Sequence, residues 1–146
     1  MKALVVYDSA YGNTEKIAKA IGNAIAGEAR VVRASEANLA DVNTIDLLIV
    51  GSPTYGGKAT EPIQDFLGKL PEESIKGMKV AAFDTRLTGR FVKVFGFAAE
   101  KRAESLKVKG GNLVSTSEGF FVKGKKGPLA DGEMERAVSW AKDVAK

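Results

Sequence analysis

Short apolar runs, each followed by a stretch with helical spacing, recur along the 146 residues of this chain. Lys2–Tyr7 is a compact apolar run with two Val, the pattern of a strand buried on both faces. From Thr14 to Ala26, the residues Ile17, Ile21 and Ile25, with Ala18 and Ala24 beside them, predict a helix with one apolar stripe. Ala29–Arg33 and Ile45–Val50 read as further strands, the second closed by Gly51-Ser52-Pro53. A helix with proline in its first turn follows over Pro62–Leu70. Met78–Phe83 is a fourth strand, Phe95–Lys107 a helix, and Asn112–Ser115 a fifth strand that Phe120–Val122 extends after a bend. Asp131–Val144 closes the chain as a helix with Met134, Val138, Trp140 and Ala141 facing inward. Five strands alternating with helices require right-handed crossovers over a parallel sheet covered on both faces, an open doubly wound α/β domain. Such sheets bind ligands beyond the carboxyl ends of their strands, so the loops after strands one, three and four are where a site is expected.

The length suits one sizeable core, which makes residues 1–146 a single domain. The longest apolar runs fall far short of the roughly 20 residues that span a bilayer, and the chain starts a strand without the features of a signal peptide, so a cytoplasmic protein is expected. There is no Cys and no His. That excludes a thiol nucleophile, a disulfide, an imidazole base and any thiolate or imidazole metal site. Redox chemistry, if the chain performs it, must come from a bound cofactor. Lys and Arg exceed Asp and Glu by 22 to 18, a formal charge of +4, which suits either an acidic partner or simple solubility.

Between strand one and the first helix lies Ser9-Ala10-Tyr11-Gly12-Asn13-Thr14. The unpaired N–H groups and positive dipole of a helix N-terminus attract phosphate. Gly12 permits close backbone approach, Ser9 and Thr14 add hydroxyls, and no Lys or Arg lies inside the turn, so a phosphate here would be held by neutral donors. The same residue types also suit a plain helix cap. No GxGxxG follows the strand and no Walker-type GxxxxGKS/T occurs, which disfavours dinucleotide and P-loop sites.

The segment Val5-Val6-Tyr7-Asp8-Ser9-Ala10-Tyr11-Gly12-Asn13-Thr14-Glu15-Lys16-Ile17-Ala18-Lys19-Ala20-Ile21 resembles the amino-terminal signature of flavodoxins. Flavodoxins often carry Thr where Tyr11 stands, while flavodoxin-like quinone reductases and protoporphyrinogen oxidases also use Tyr-Gly. The resemblance implies a five-stranded sheet of order 2-1-3-4-5, of the short-chain type, with FMN as cofactor and its phosphate on Ser9–Thr14. It also implies that Pro53, Thr54, Tyr55, Gly56 and Gly57 cover one face of the flavin. Tyr55 would stack on the ring, and the Gly56 peptide would turn over on reduction, a freedom only glycine has. For the third loop it implies Asp84, Thr85, Arg86 and Phe91, with Phe91 where flavodoxins usually have Tyr. Arg86, Arg90 and Lys93 make that loop basic. A positive group near flavin N1 favours the anionic reduced flavin, so a potential less negative than that of acidic flavodoxins is expected.

From Arg86 to Lys126 there are ten Lys or Arg against three Glu. That stretch is expected to face a protein redox partner with an acidic docking surface. Nucleic acid is the weaker reading. Lys123-Gly124-Lys125-Lys126-Gly127-Pro128 reads as a mobile basic loop. The resemblance implies a one-electron carrier more than an enzyme with its own substrate. The alternatives are an FMN-dependent NAD(P)H:quinone oxidoreductase, a flavodoxin-like fold that has lost its flavin, and a receiver-like signalling domain. The last lacks the Asp it needs at the end of strand three, where Gly51-Ser52 stands.

Overall fold

The computed structural model describes residues 2–25, 27–54, 59–71, 73–87, 98–115, 117–124 and 126–146. The strands are β1 (Lys2–Tyr7), β2 (Glu28–Arg33), β3 (Leu47–Pro53), β4 (Lys79–Leu87), β5 (Asn112–Leu113) and β6 (Glu118–Val122). The α-helices among the described residues are α1 (Asn13–Ala24), α2 (Glu61–Lys69), α3 (Ala98–Val108) and α4 (Glu133–Val144). The sheet runs β2-β1-β3-β4-β5, with β6 also on β4, and each of these pairings is parallel. This is the expected 2-1-3-4-5 arrangement. The fifth strand comes in two pieces on one edge of β4: Asn112 pairs with Lys79, and Glu118 to Val122 pair with Phe83 to Leu87.

The unbroken apolar runs of the inner strands follow from helices on both faces. Side chains alternate along a strand, so Leu4, Val6, Leu48, Val50, Val80 and Ala82 face α2 and α3. Ala3, Val5, Leu47, Ile49, Ala81 and Phe83 face α1 and α4. Each large side chain removed from water this way stabilises the fold by about 1.5–3 kcal/mol. On the second face Phe83, Phe120 and Trp140 meet edge to face at 6.0–6.2 Å.

Three local differences from the sequence reading have physical causes. The inward face of α4 is Ala137, Trp140, Ala141 and Val144, while Met134 is exposed. The helix starts at Glu133, and it is the 133-137-140-144 row that meets the sheet. Strand β3 continues through Gly51-Ser52-Pro53, and β4 through Asp84-Thr85-Arg86-Leu87, because these two extensions pair with one another and β6 covers the other edge of β4. The segment from Lys123 to Pro128 closes a hairpin: Lys123 N–H donates to the Pro128 carbonyl (2.8 Å) and Gly127 N–H to that of Gly124 (2.9 Å). Among the described residues no helix is long and apolar enough to cross a membrane.

Candidate functional site

Strand β1 hands over to α1 in five residues. Asp8 N–H still donates to the Gly51 carbonyl (3.1 Å), and then the chain turns through Ser9 to Gly12. Gly12 has φ 90°, ψ −6° and is the residue before the helix. Its N–H donates to Ser9 Oγ (3.0 Å). No side chain caps α1, and a bond from Lys16 N–H to the Gly12 carbonyl (3.1 Å) opens the helix. The N–H groups of Asn13, Thr14 and Glu15 therefore precede any acceptor within the helix. An added Cβ at Gly12 would meet nothing within 4 Å, so the left-handed backbone alone demands glycine. Gly12→Ala is expected to cost about 1–2 kcal/mol in urea unfolding. A loss near zero would mean the turn adopts another conformation.

Ser9, Ala10, Tyr11, Asn13 and Thr14 line one small cleft with Pro53 and Thr54 from the end of β3 and Thr85 and Arg86 from β4. Its volume, about 30 Å³, suits a couple of waters or one small anion. Thr14 and Thr85 share a hydrogen bond between their hydroxyls (2.7 Å), and Thr54 N–H donates to the Thr85 carbonyl (3.0 Å). The three chain segments are thereby tied at the carboxyl edge of the sheet. Ser52 accepts from Thr60 N–H (3.1 Å) and donates to the Pro53 carbonyl (2.8 Å), fixing both ends of the connection from β3 to α2. Tyr55, Gly56, Gly57 and Phe91 lie outside the described residues, as do Arg90 and Lys93.

The residues expected as a third loop behave differently from one another because they are strand. Thr85 faces α1. Asp84 and Arg86, one residue either side, share the opposite face. Asp84 is fully buried and accepts from Arg86 Nε (2.6 Å) and Nη2 (2.8 Å). The positive charge of Arg86 is therefore balanced within the protein.

Sequence reasoning missed Arg33. Parallel pairing sets Arg33 beside Tyr7, the last residue of β1, and its Nη1 donates to the Ser9 carbonyl (2.9 Å) and approaches Asp8 Oδ1 (3.4 Å). The guanidinium also lies 5.2 Å from the Tyr7 ring centre. Tyr7 in turn donates its hydroxyl to Glu15 (2.8 Å). That bond, with Lys19 and Arg33 nearby, holds the Glu15 carboxyl below its ordinary range despite some desolvation. Burial, then Glu15, pushes the Tyr7 hydroxyl up. The pair thus keeps one protonated donor and one carboxylate, with cations to balance the carboxylate under the Ser9–Gly12 turn. A strand order of 2-1 would have pointed to Arg33, since it sets the last residue of β2 beside the last of β1.

The donors gathered here fit a phosphate ester: free-standing N–H groups at an uncapped helix start, hydroxyls, and carboxylates turned away into pairs. The flavodoxin family model matches residues 5–140. The chain belongs to the flavodoxin family. A flavodoxin of Maridesulfovibrio salexigens is 27% identical across 99% of this chain and 97% of its own length. Two solved structures, an archaeal flavodoxin and oxidised flavodoxin 2 of Bacillus cereus, each superpose with a TM-score of 0.84 at 26% identity over 99% of this chain and 96% and 98% of theirs. A putative diflavin flavoprotein of Synechocystis is 33% identical over 68% of this chain, which spans only 16% of that protein's length. FMN is the cofactor of the flavodoxin family.

Proposed function

We propose that this flavodoxin carries single electrons between redox proteins, with its FMN held by the phosphate at the start of α1. The uncapped helix terminus opening on a hydroxyl-walled cleft carries this reading. In it, the N–H groups of Ala10, Tyr11 and Asn13 to Glu15 and the hydroxyls of Ser9 and Thr14 bind the phosphate, while Gly12 lets the backbone approach it. Pro53, Thr54, Tyr55, Gly56 and Gly57 flank one side of the ring, and Thr85, Arg86 and Phe91 border the other. Asp84 acts through Arg86. When bound, FMN supplies the group that accepts and releases electrons, chemistry that a chain without Cys or His does not provide. Because Asp84 balances Arg86, any basic influence on the reduction potential falls to Arg90 and Lys93. The excess of Lys and Arg between Arg86 and Lys126 suits a partner with an acidic docking surface.

Visible absorbance of the purified protein and fluorescence titration of the apoprotein test this reading. FMN is expected to bind more tightly than riboflavin by roughly two orders of magnitude, the net value of one or two charge-assisted hydrogen bonds. A colourless protein that cannot be reconstituted, or one that binds the two flavins equally, overturns it.

A further inference from the structure

The hairpin that follows β6 reaches back to the start of the chain. Val122 bridges to Leu129 in antiparallel fashion, and Ala130 N–H donates to the Phe121 carbonyl (2.8 Å). Gly127 sits directly on the Asn13 amide, where an added Cβ would overlap it. One residue earlier, Lys126 Nζ lies 5.9 Å from the centre of the Tyr11 ring. Val122 itself lines the cleft. The hairpin thus forms one wall of the turn and places an ammonium beside Tyr11.

Among the described residues three other cations near this edge are paired: Arg33 with Asp8, Arg86 with Asp84, and Lys123 with Asp131. Lys126 has no carboxylate within ion-pair distance among the described residues. We propose that Lys126 is the counter-charge of the phosphate site, steadied over the turn by the face of Tyr11 and selecting phosphorylated over unphosphorylated flavin. The inference rests on the FMN reading above and adds a salt-sensitive contribution to a site otherwise built from neutral donors. Lys126 is exposed, so its effect is that of a surface charge pair, several-fold and no more.

The test titrates full-length apoprotein with FMN and with riboflavin, following flavin fluorescence, at low (about 20 mM) and high (about 0.5 M) salt. Lys126→Gln is expected to weaken FMN binding about three- to tenfold at low salt, to leave riboflavin binding unchanged, and to flatten the salt dependence. Lys126→Arg retains the wild-type ratio, and Lys142→Gln on α4 changes nothing. An unchanged ratio of FMN to riboflavin affinity in Lys126→Gln overturns the inference while leaving the site intact. An equal loss for both flavins also overturns it, by making Lys126 a structural residue. Wild-type protein that binds neither flavin removes the FMN reading and this inference together.

Discussion

Arg86→Met is expected to lower the unfolding free energy by about 3–5 kcal/mol at neutral pH, read from urea denaturation. Asp84 has no solvent exposure, and Arg86 grips both of its carboxylate oxygens. Asp84 and Arg86 share a face of β4 because they are two residues apart. Gly119 lies opposite Asp84 on β6, and the guanidinium occupies the space a side chain there would fill. Methionine keeps most of the volume but removes the bidentate partner of a buried carboxylate, and breaking such a pair is costly because the buried charge loses its counter-ion. The double variant Asp84→Leu/Arg86→Met is therefore expected to recover most of the loss. Gly119→Ala acts by the same route, through displacement of the guanidinium. A loss below about 1 kcal/mol for Arg86→Met would place the pair with ordinary surface ion pairs.

The second large effect belongs to Glu133. This residue opens α4 and accepts from Phe121 N–H (2.7 Å), and Arg136 donates to both of its oxygens. Arg136 also reaches Glu118 (2.8 Å) and the Gly119 carbonyl, and lies 4.7 Å from the Phe120 ring centre. Together they staple α4 to β6 and so to the hairpin. Glu133→Ala is expected to cost about 2–3 kcal/mol, the value of charge-assisted hydrogen bonds at a mostly buried carboxylate. Burial pushes the Glu133 carboxyl up, but Arg136, Phe121 N–H and the guanidinium charge outweigh it and hold the carboxyl below its ordinary range. A carboxyl with a depressed folded value contributes stability above its unfolded value, about pH 4.3, and loses that contribution as pH falls through the folded one. The gap between wild type and Glu133→Ala should thus shrink between pH 7 and pH 3. A gap that stays the same in acid would mean that packing, not the carboxylate, joins α4 to β6.

The alternation of apolar runs and helical stripes was legible because local periodicity reflects burial. Leu4 and Val6 against Ala3 and Val5 already imply two covered faces. The ends of strands were not legible. Asp84-Thr85-Arg86 has the composition of a loop, and only its pairing with Gly51–Pro53 on one side and Glu118–Val122 on the other makes it strand. The turn from Ser9 to Gly12 is a contiguous stretch, and its glycine and helix start could be read directly. Arg33 and Lys126 reach it from distant parts of the chain, the first through strand order and the second through a hairpin whose sequence shows charge and turn residues but not what it folds against. Met134 was misplaced because two neighbouring rows of α4 carry apolar residues, and the one that meets the sheet is Ala137, Trp140, Ala141 and Val144.

The division of the fifth strand leaves the sheet with a natural splice point. Strand β4, nine residues long, templates β5 and β6 separately, so neither piece depends on the chain between Val114 and Glu118 for its register. Extra residues inserted there would lengthen a surface connection at a cost that grows only with the logarithm of its length, about 0.6 kcal/mol for each doubling. The edge strand could therefore acquire a new module while the paired ladder, and the cleft that Val122 of β6 lines, keep their geometry.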